Sequence, residues 1–149
     1  MKSKSKYRSF ENPDVAAVFD ACPKTIRAKL MTLRELIFET AASTDGVGKL
    51  EETLKWGSPS YLTTETGSGT TIRIDRISAQ NRKFAMCVHC QTTLVGPFKK
   101  IHGDFFIYDA NRGLILDDKD ELPIPELRQF VTMALTYHLS KKKKNRASF

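Results

Sequence analysis

The hydrophobic period of the chain changes near Trp56, and this change constrains the fold more than any other feature. From Ile26 to Ile37, apolar residues recur three or four positions apart, as on one face of a helix. After residue 55, apolar and polar residues alternate, which is typical of half-buried strands. The stretch between the two patterns, Lys55 to Tyr61, holds the only Trp of the sequence together with a Gly and a Pro. It therefore marks the point where helices give way to a sheet.

The order of these patterns predicts an α+β fold. Helices are expected from Asn12-Pro13, over residues 24–44 and from Pro125, with a brief helical turn over residues 48–54. Strands are expected at residues 61–62, 70–77, 83–91, 105–108 and 114–116. We therefore predict an antiparallel sheet of about five strands, with helices from both chain ends packed on one face.

The net charge of +7 is concentrated at the two ends of the chain. Residues 1–10 and 140–149 hold nine of the 24 basic residues and no acidic ones, whereas the rest of the chain has fifteen basic and all seventeen acidic residues. We expect a disordered basic arm over residues 1–10, one domain over residues 11–140 and a disordered basic tail over residues 141–149. The ends are interpreted as solvated segments; weak, salt-dependent contact of these tails with a polyanion is the alternative, and no other nucleic-acid binding is expected.

The compartment also follows from composition. No apolar run approaches the roughly 20 residues that a membrane span needs, and the first ten residues lack the apolar segment of a secretory signal. We therefore expect a cytoplasmic protein without membrane contact. Its three Cys, residues 22, 87 and 90, are an odd number and are expected to be reduced.

Several polar motifs are interpreted as structural. Cys87 and Cys90 have Cys-x-x-Cys spacing, but within a strand their side chains would point to opposite faces, which disfavours a shared metal or a redox pair. Cys87 and His89 share a strand face, so a nucleophilic pair stays a remote alternative that lacks an orienting third group. His138 is expected in the core on the last helix. The carboxylates Asp117, Asp118, Asp120 and Glu121 are expected in a solvated loop, and no catalytic or metal-binding residues are assigned.

The candidate binding site is a concavity on or beside the sheet. Amphipathic and cationic side chains could converge there on a small anionic or planar ligand. The candidate residues are Trp56, Tyr61, Arg73, His89, Tyr108 and Arg112. The alternative is that Trp56 and Tyr61 form an aromatic plug in the core where helix meets sheet.

Three motifs resemble the YdhG-like domains, a bacterial family of unknown function. Residues 55–61 (KWGSPSY) resemble the signature K-W-G-x-P-x-Y, and residues 87–94 (CVHCQTTL) resemble a strand and loop of one subgroup. Residues 111–116 (NRGLIL), the acidic loop and the final helix resemble the end of that subgroup. The resemblance covers about residues 12–140 and implies a small α+β domain.

Some members of the wider family resemble frataxin in fold, and one is described as an iron chaperone for iron–sulfur assembly. Here Glu35 and Glu39 of the first long helix are mixed with basic residues, so no iron-binding residues are carried over. The leading hypothesis is a non-enzymatic domain that binds a small ligand or serves as an accessory protein. The alternatives are a frataxin-like iron chaperone and an interaction protein that contacts polyanions through its basic tails. The cofactor and ligand are unknown, and a homodimer stays open.

Overall fold

The computed structural model describes residues 7–77, 82–89 and 91–139. Its helices are α1 (Pro13–Asp20), α2 (Lys24–Ser43), α3 (Val95–His102) and α4 (Ile124–Leu135), and a 3-10 turn spans Gly103–Phe105. Asn12 caps α1 through its side-chain oxygen, which accepts from the Asp14 N–H, and Pro13 occupies the first turn. These signals confirm the predicted starts of the first and last helices to within one residue.

Within the described residues, six strands form one antiparallel sheet in the order β1-β2-β3-β4-β6-β5. They are β1 (Glu51–Lys55), β2 (Ser58–Leu62), β3 (Ile72–Arg76), β4 (Lys83–Cys87), β5 (Ile107–Asp109) and β6 (Gly113–Asp117). The predicted α+β class is confirmed. The sixth strand is β1, where the sequence predicts a helical turn; this part of the prediction is wrong because pairing with β2 across a tight hairpin outweighs weak local propensity.

One face of the sheet, called the inner face, belongs to the core. Its positions alternate along each strand with positions on the opposite face, as strand geometry requires. The fully buried side chains of this face are Tyr61, Ile72, Ile74, Phe84, Met86 and Leu114. Helix α1 contacts β1 and β2, α2 contacts β3 and β4, and α4 contacts α2.

The opposite, outer face carries the residues between these core positions. The register pairs Ser60 with Arg73 and Arg73 with Cys87, so these three side chains share the outer face. Asp75 continues the same alternation along β3, and Thr71 and His89, which flank the ends of β3 and β4, line the same cleft as Arg73. This face positions the cationic groups described below.

Part of the predicted N-terminal arm belongs to the domain. The Arg34 guanidinium donates to the carbonyls of Arg8 and Ser9, and the Phe10 ring packs on Phe19. Residues 8–10 are therefore held on α1 and α2, because a buried cation and an aromatic cluster supply partners that composition alone does not reveal. The predictions for residues 1–6 and for the tail 141–149 lie outside the described residues.

Candidate ligand-binding cleft

The tip of the β1–β2 hairpin presents Trp56 to solvent. Lys55 pairs with Ser58, so the loop contains only Trp56 and Gly57, with φ of 50° and 78°. Positive φ at both positions is typical of a type I′ turn, whose first residue is usually Asn, Asp or Gly. The Trp56 side chain is 87% exposed. The interpretation of Trp56 as a core plug is therefore wrong: the hairpin ends before the ring can reach the core.

A Trp in the left-handed region is an outlier. Bulky residues seldom adopt positive φ because Cβ then crowds the following carbonyl oxygen. Such conformations cost of the order of 1–3 kcal/mol and occur preferentially at functional sites. Burial does not offset the cost at Trp56, because the ring is mostly exposed.

Trp56 borders a cleft of about 420 Å³. Its lining combines one aromatic ring, small polar residues and basic side chains, and none of the described lining residues carries a carboxylate. The lining residues are Lys55, Trp56, Leu62, Gly69, Thr70, Thr71, Arg73, His89 and His138. This composition suits a ligand that combines negative charge with a planar ring.

Arg73 links the hairpin tip to the outer face of the sheet. Its guanidinium carbon lies 5.2 Å from the centroid of the Trp56 ring, within the range of a cation–π contact. Arg73 is on β3, between the partners Ser60 and Cys87. The sheet therefore fixes where the Arg73 backbone lies, and the contact orients both side chains at the cleft.

His89 presents a hydrogen-bond donor. Its Nδ1 accepts from the Gln91 N–H at 3.1 Å. Because Nδ1 is an acceptor, the neutral imidazole carries its proton on Nε2. His89 can therefore donate from Nε2 without first gaining a proton.

The position of His138 is set by hydrogen bonds between the β2–β3 loop and the end of α4. The Ser68 hydroxyl donates to the Leu135 carbonyl at 2.7 Å, and the Thr70 N–H donates to the Ala134 carbonyl at 2.9 Å. The His138 N–H in turn donates to the Ser68 carbonyl at 2.8 Å. Gly69 permits this approach, since a Cβ there would lie 2.4 Å from the Ala134 oxygen.

The structure unites three of the six predicted site residues: Trp56, Arg73 and His89. The other three lie elsewhere. Tyr61 is fully buried on the inner face. The Tyr108 hydroxyl donates to the Gly103 carbonyl, and Arg112 pairs with Asp109 at 3.2 Å. Neither Tyr108 nor Arg112 lines the cleft, because Tyr108 lies in the edge strand β5, paired with Leu114, and Arg112 lies in the turn between β5 and β6.

The sequence prediction lacks six of the nine lining residues, and two of these six, Lys55 and His138, carry basic side chains. His138 was expected in the core because helical spacing places it on the face of Leu127 and Val131. However, α4 ends at Leu135, and His138 is exposed. Lys55 could have been found from its position beside Trp56 at the change of period. His138 could not have been found in this way, because the position where α4 ends depends on its hydrogen bonds with Ser68 and Thr70.

Another cavity, of about 510 Å³, lies on the other side of the hairpin and borders a closed polar network. Arg34 and Glu52 form a buried ion pair with an Nε–Oε2 distance of 2.5 Å, and the Tyr61 hydroxyl donates to Glu52 at 2.8 Å. Burial, followed by the neighbouring Glu52 carboxylate, raises the pKa of Tyr61 strongly. The described polar contacts of this network are made within the protein, so we assign it to stability.

The remaining polar motifs also serve the fold. Burial raises the pKa of the Cys87 thiol, with a smaller contribution from Asp109, which opposes the thiolate that a nucleophile needs. Cys90 lies outside the described residues, so the Cys-x-x-Cys interpretation stays a prediction. Asp118 is buried, contrary to the expected solvated loop. It accepts from Thr25 at 2.5 Å and Arg82 at 2.7 Å, and the Thr25 hydrogen bond lowers its pKa.

Comparison with known proteins gives no relatives. A scan against protein-family models matches no family, and searches of curated proteins and solved structures find no match. The resemblance to YdhG-like domains stays a prediction. Within the described ranges, no three His, Cys, Asp or Glu side chains are grouped to hold a metal ion, and no helix is long and apolar enough to cross a membrane.

Proposed function

We propose that this protein is a non-enzymatic binding domain for a small anionic ligand with a planar ring. The observation that carries the proposal is the strained and exposed Trp56, with Arg73 over its ring, at a cleft that also contains Lys55, His89 and His138. The backbone strain at Trp56 is retained although its side chain adds little to the core. Ligand binding gives that cost a function.

The charges support an anion in the cleft. Arg73 and Lys55 are cationic, and His89 donates from Nε2 even when neutral. Arg34 is less suited to bind an anion, because its guanidinium already donates to Glu52 and to two backbone carbonyls. The cytoplasmic location and the YdhG-like family are part of this proposal. The iron-chaperone and polyanion alternatives have no specific observation in their favour among the described residues.

Because Trp56 is the only Trp of the sequence, its fluorescence reports on the cleft directly. The probes are para-nitrobenzoate and para-nitrophenyl phosphate, each compared with an uncharged analogue of the same ring. We expect saturable quenching by at least one anion in preference to its analogue. Arg73→Gln should weaken that binding at least about tenfold, which corresponds to 1.4 kcal/mol, whereas the matched variant Arg112→Gln should leave it unchanged.

Calorimetric titration of the same set checks that quenching reflects binding. The proposal is contradicted if neither anion binds in preference to its uncharged analogue. It is also contradicted if Arg73→Gln and Arg112→Gln weaken binding equally, since the effect would then be one of overall charge.

A further inference from the structure

We infer, resting on the proposed function, that the ligand is a free nucleoside monophosphate: a heteroaromatic base stacked on Trp56, with one phosphate group held by the basic residues of the cleft. Three features lead to this class. They are the excess of donors in the cleft, the free aromatic surface and the carboxylates elsewhere on the outer face of the sheet.

The donors match a phosphate better than a carboxylate. Lys55, Arg73, His89 and His138 line one cleft of about 420 Å³. A phosphate monoester carries a charge of about −1.5 to −2 and three acceptor oxygens, and the Arg guanidinium can bind two of them at once. A carboxylate has one charge and two oxygens, so it would leave more of these donors without an anionic partner.

The aromatic surface suits a base. Arg73 lies over the Trp56 ring, yet the side chain stays 87% exposed, so ring surface remains for stacking. Every nucleobase has a π-face and stacks on such a side chain without requiring a fixed hydrogen-bond pattern. Nucleotides of adenine, guanine and the pyrimidines should therefore bind with similar affinity.

The surrounding charges favour a free nucleotide over a nucleic-acid strand. The sheet register places Glu51, Asp75 and Asp117 on the same outer face as Arg73. Asp109 on β5 lies on that face as well, opposite Gly113. A nucleic-acid strand that lay along the sheet would bring successive phosphates toward these carboxylates. The single phosphate of a free nucleotide would contact only the basic cleft.

The test measures Trp56 quenching and calorimetric heats for AMP, adenosine, ribose 5-phosphate, inorganic phosphate and a short oligothymidylate. We expect AMP to bind at least about tenfold more tightly than adenosine, ribose 5-phosphate or inorganic phosphate, because base and phosphate both contribute. Arg73→Gln should reduce AMP affinity to about that of adenosine, and Arg112→Gln should not change it. The oligonucleotide should bind no more tightly than AMP, per site.

Three results would overturn the inference. Equal affinity for AMP and adenosine would show that the phosphate group does not contribute to binding. Oligothymidylate binding about tenfold tighter than AMP would identify a single-stranded nucleic acid as the partner. Binding of para-nitrobenzoate without measurable binding of AMP would reject the nucleotide while leaving the anion-binding function intact, so the two proposals fail separately.

Discussion

Trp56 and Tyr61 lie five positions apart in one hairpin, yet their environments are opposite. Tyr61 is fully buried, and its hydroxyl donates to Glu52 within the Arg34 network. Trp56 is 87% exposed, adopts positive φ and contacts a cationic side chain at an open cleft. The inner network thus has its polar partners inside the protein, whereas the outer cleft keeps donors available for a ligand.

The largest change in stability is expected from a substitution that disrupts the inner network. Arg34→Met should lower the free energy of unfolding by about 3–5 kcal/mol, because it leaves Glu52 buried without its cation. Denaturant unfolding followed by circular dichroism measures the change. The matched control Arg112→Met removes an exposed pair with Asp109 and should cost less than about 1 kcal/mol.

The double variant Arg34→Met/Glu52→Leu separates a buried charge from lost packing. It should be markedly more stable than Arg34→Met, because no unpaired charge is left in the core. If Arg34→Met costs no more than Arg112→Met, the inner network does not differ from the surface and the comparison fails.

A smaller effect is expected at Tyr61. Tyr61→Phe should cost about 1–2 kcal/mol at neutral pH, because Glu52 loses one hydrogen bond but keeps Arg34. Tyr108→Phe, whose hydroxyl donates to a carbonyl in an exposed setting, is the matched control and should change stability by less than about 0.5 kcal/mol. Equal costs for the two variants would contradict the burial argument.

The raised pKa of Tyr61 also predicts a pH dependence. Burial and Glu52 favour the neutral phenol in the folded state, whereas Tyr in the unfolded chain titrates near pH 10. The unfolded state therefore loses its proton first as pH rises, and stability contributed by the neutral phenol falls above about pH 10. Ultraviolet titration should show Tyr61 ionising only with unfolding, and Tyr61→Phe should be less sensitive to alkali. Ionisation of all Tyr side chains before unfolding would rule this out.

The two regions also differ in how well sequence predicts them. Strand alternation correctly places Ile72, Ile74, Phe84 and Met86 on the core face, because a single period decides burial. The α+β class follows from the order of periods. Three of six proposed site residues converge, since Arg73 and His89 lie on the outer face and Trp56 is next to it.

What sequence misses depends on tertiary contacts. Strand β1 forms because β2 pairs with it, and no local pattern distinguishes its five residues from a helical turn. His138 reaches the cleft because Ser68 and Thr70 bind the end of α4. Asp118 is buried because Thr25 and Arg82 approach from distant parts of the chain. Each of these outcomes is set by partners far apart in sequence.

The exposure of Trp56 follows from the length of the hairpin loop, which the sequence alone does not define. With two residues between Lys55 and Ser58, the first must adopt positive φ and point away from the core. The same K-W-G sequence in a longer loop would allow the ring to turn inward, as the core interpretation requires.

Trp56→Asn tests most directly whether Trp56 is retained for ligand binding. Asn suits the first position of a type I′ turn. Relief of backbone strain, set against loss of the exposed contact with Arg73, should raise the free energy of unfolding by about 1 kcal/mol. The same change should abolish calorimetric binding of the planar anions. A stability gain together with lost binding supports a Trp retained for ligand binding; a stability loss of several kcal/mol, or binding equal to wild type, would contradict it.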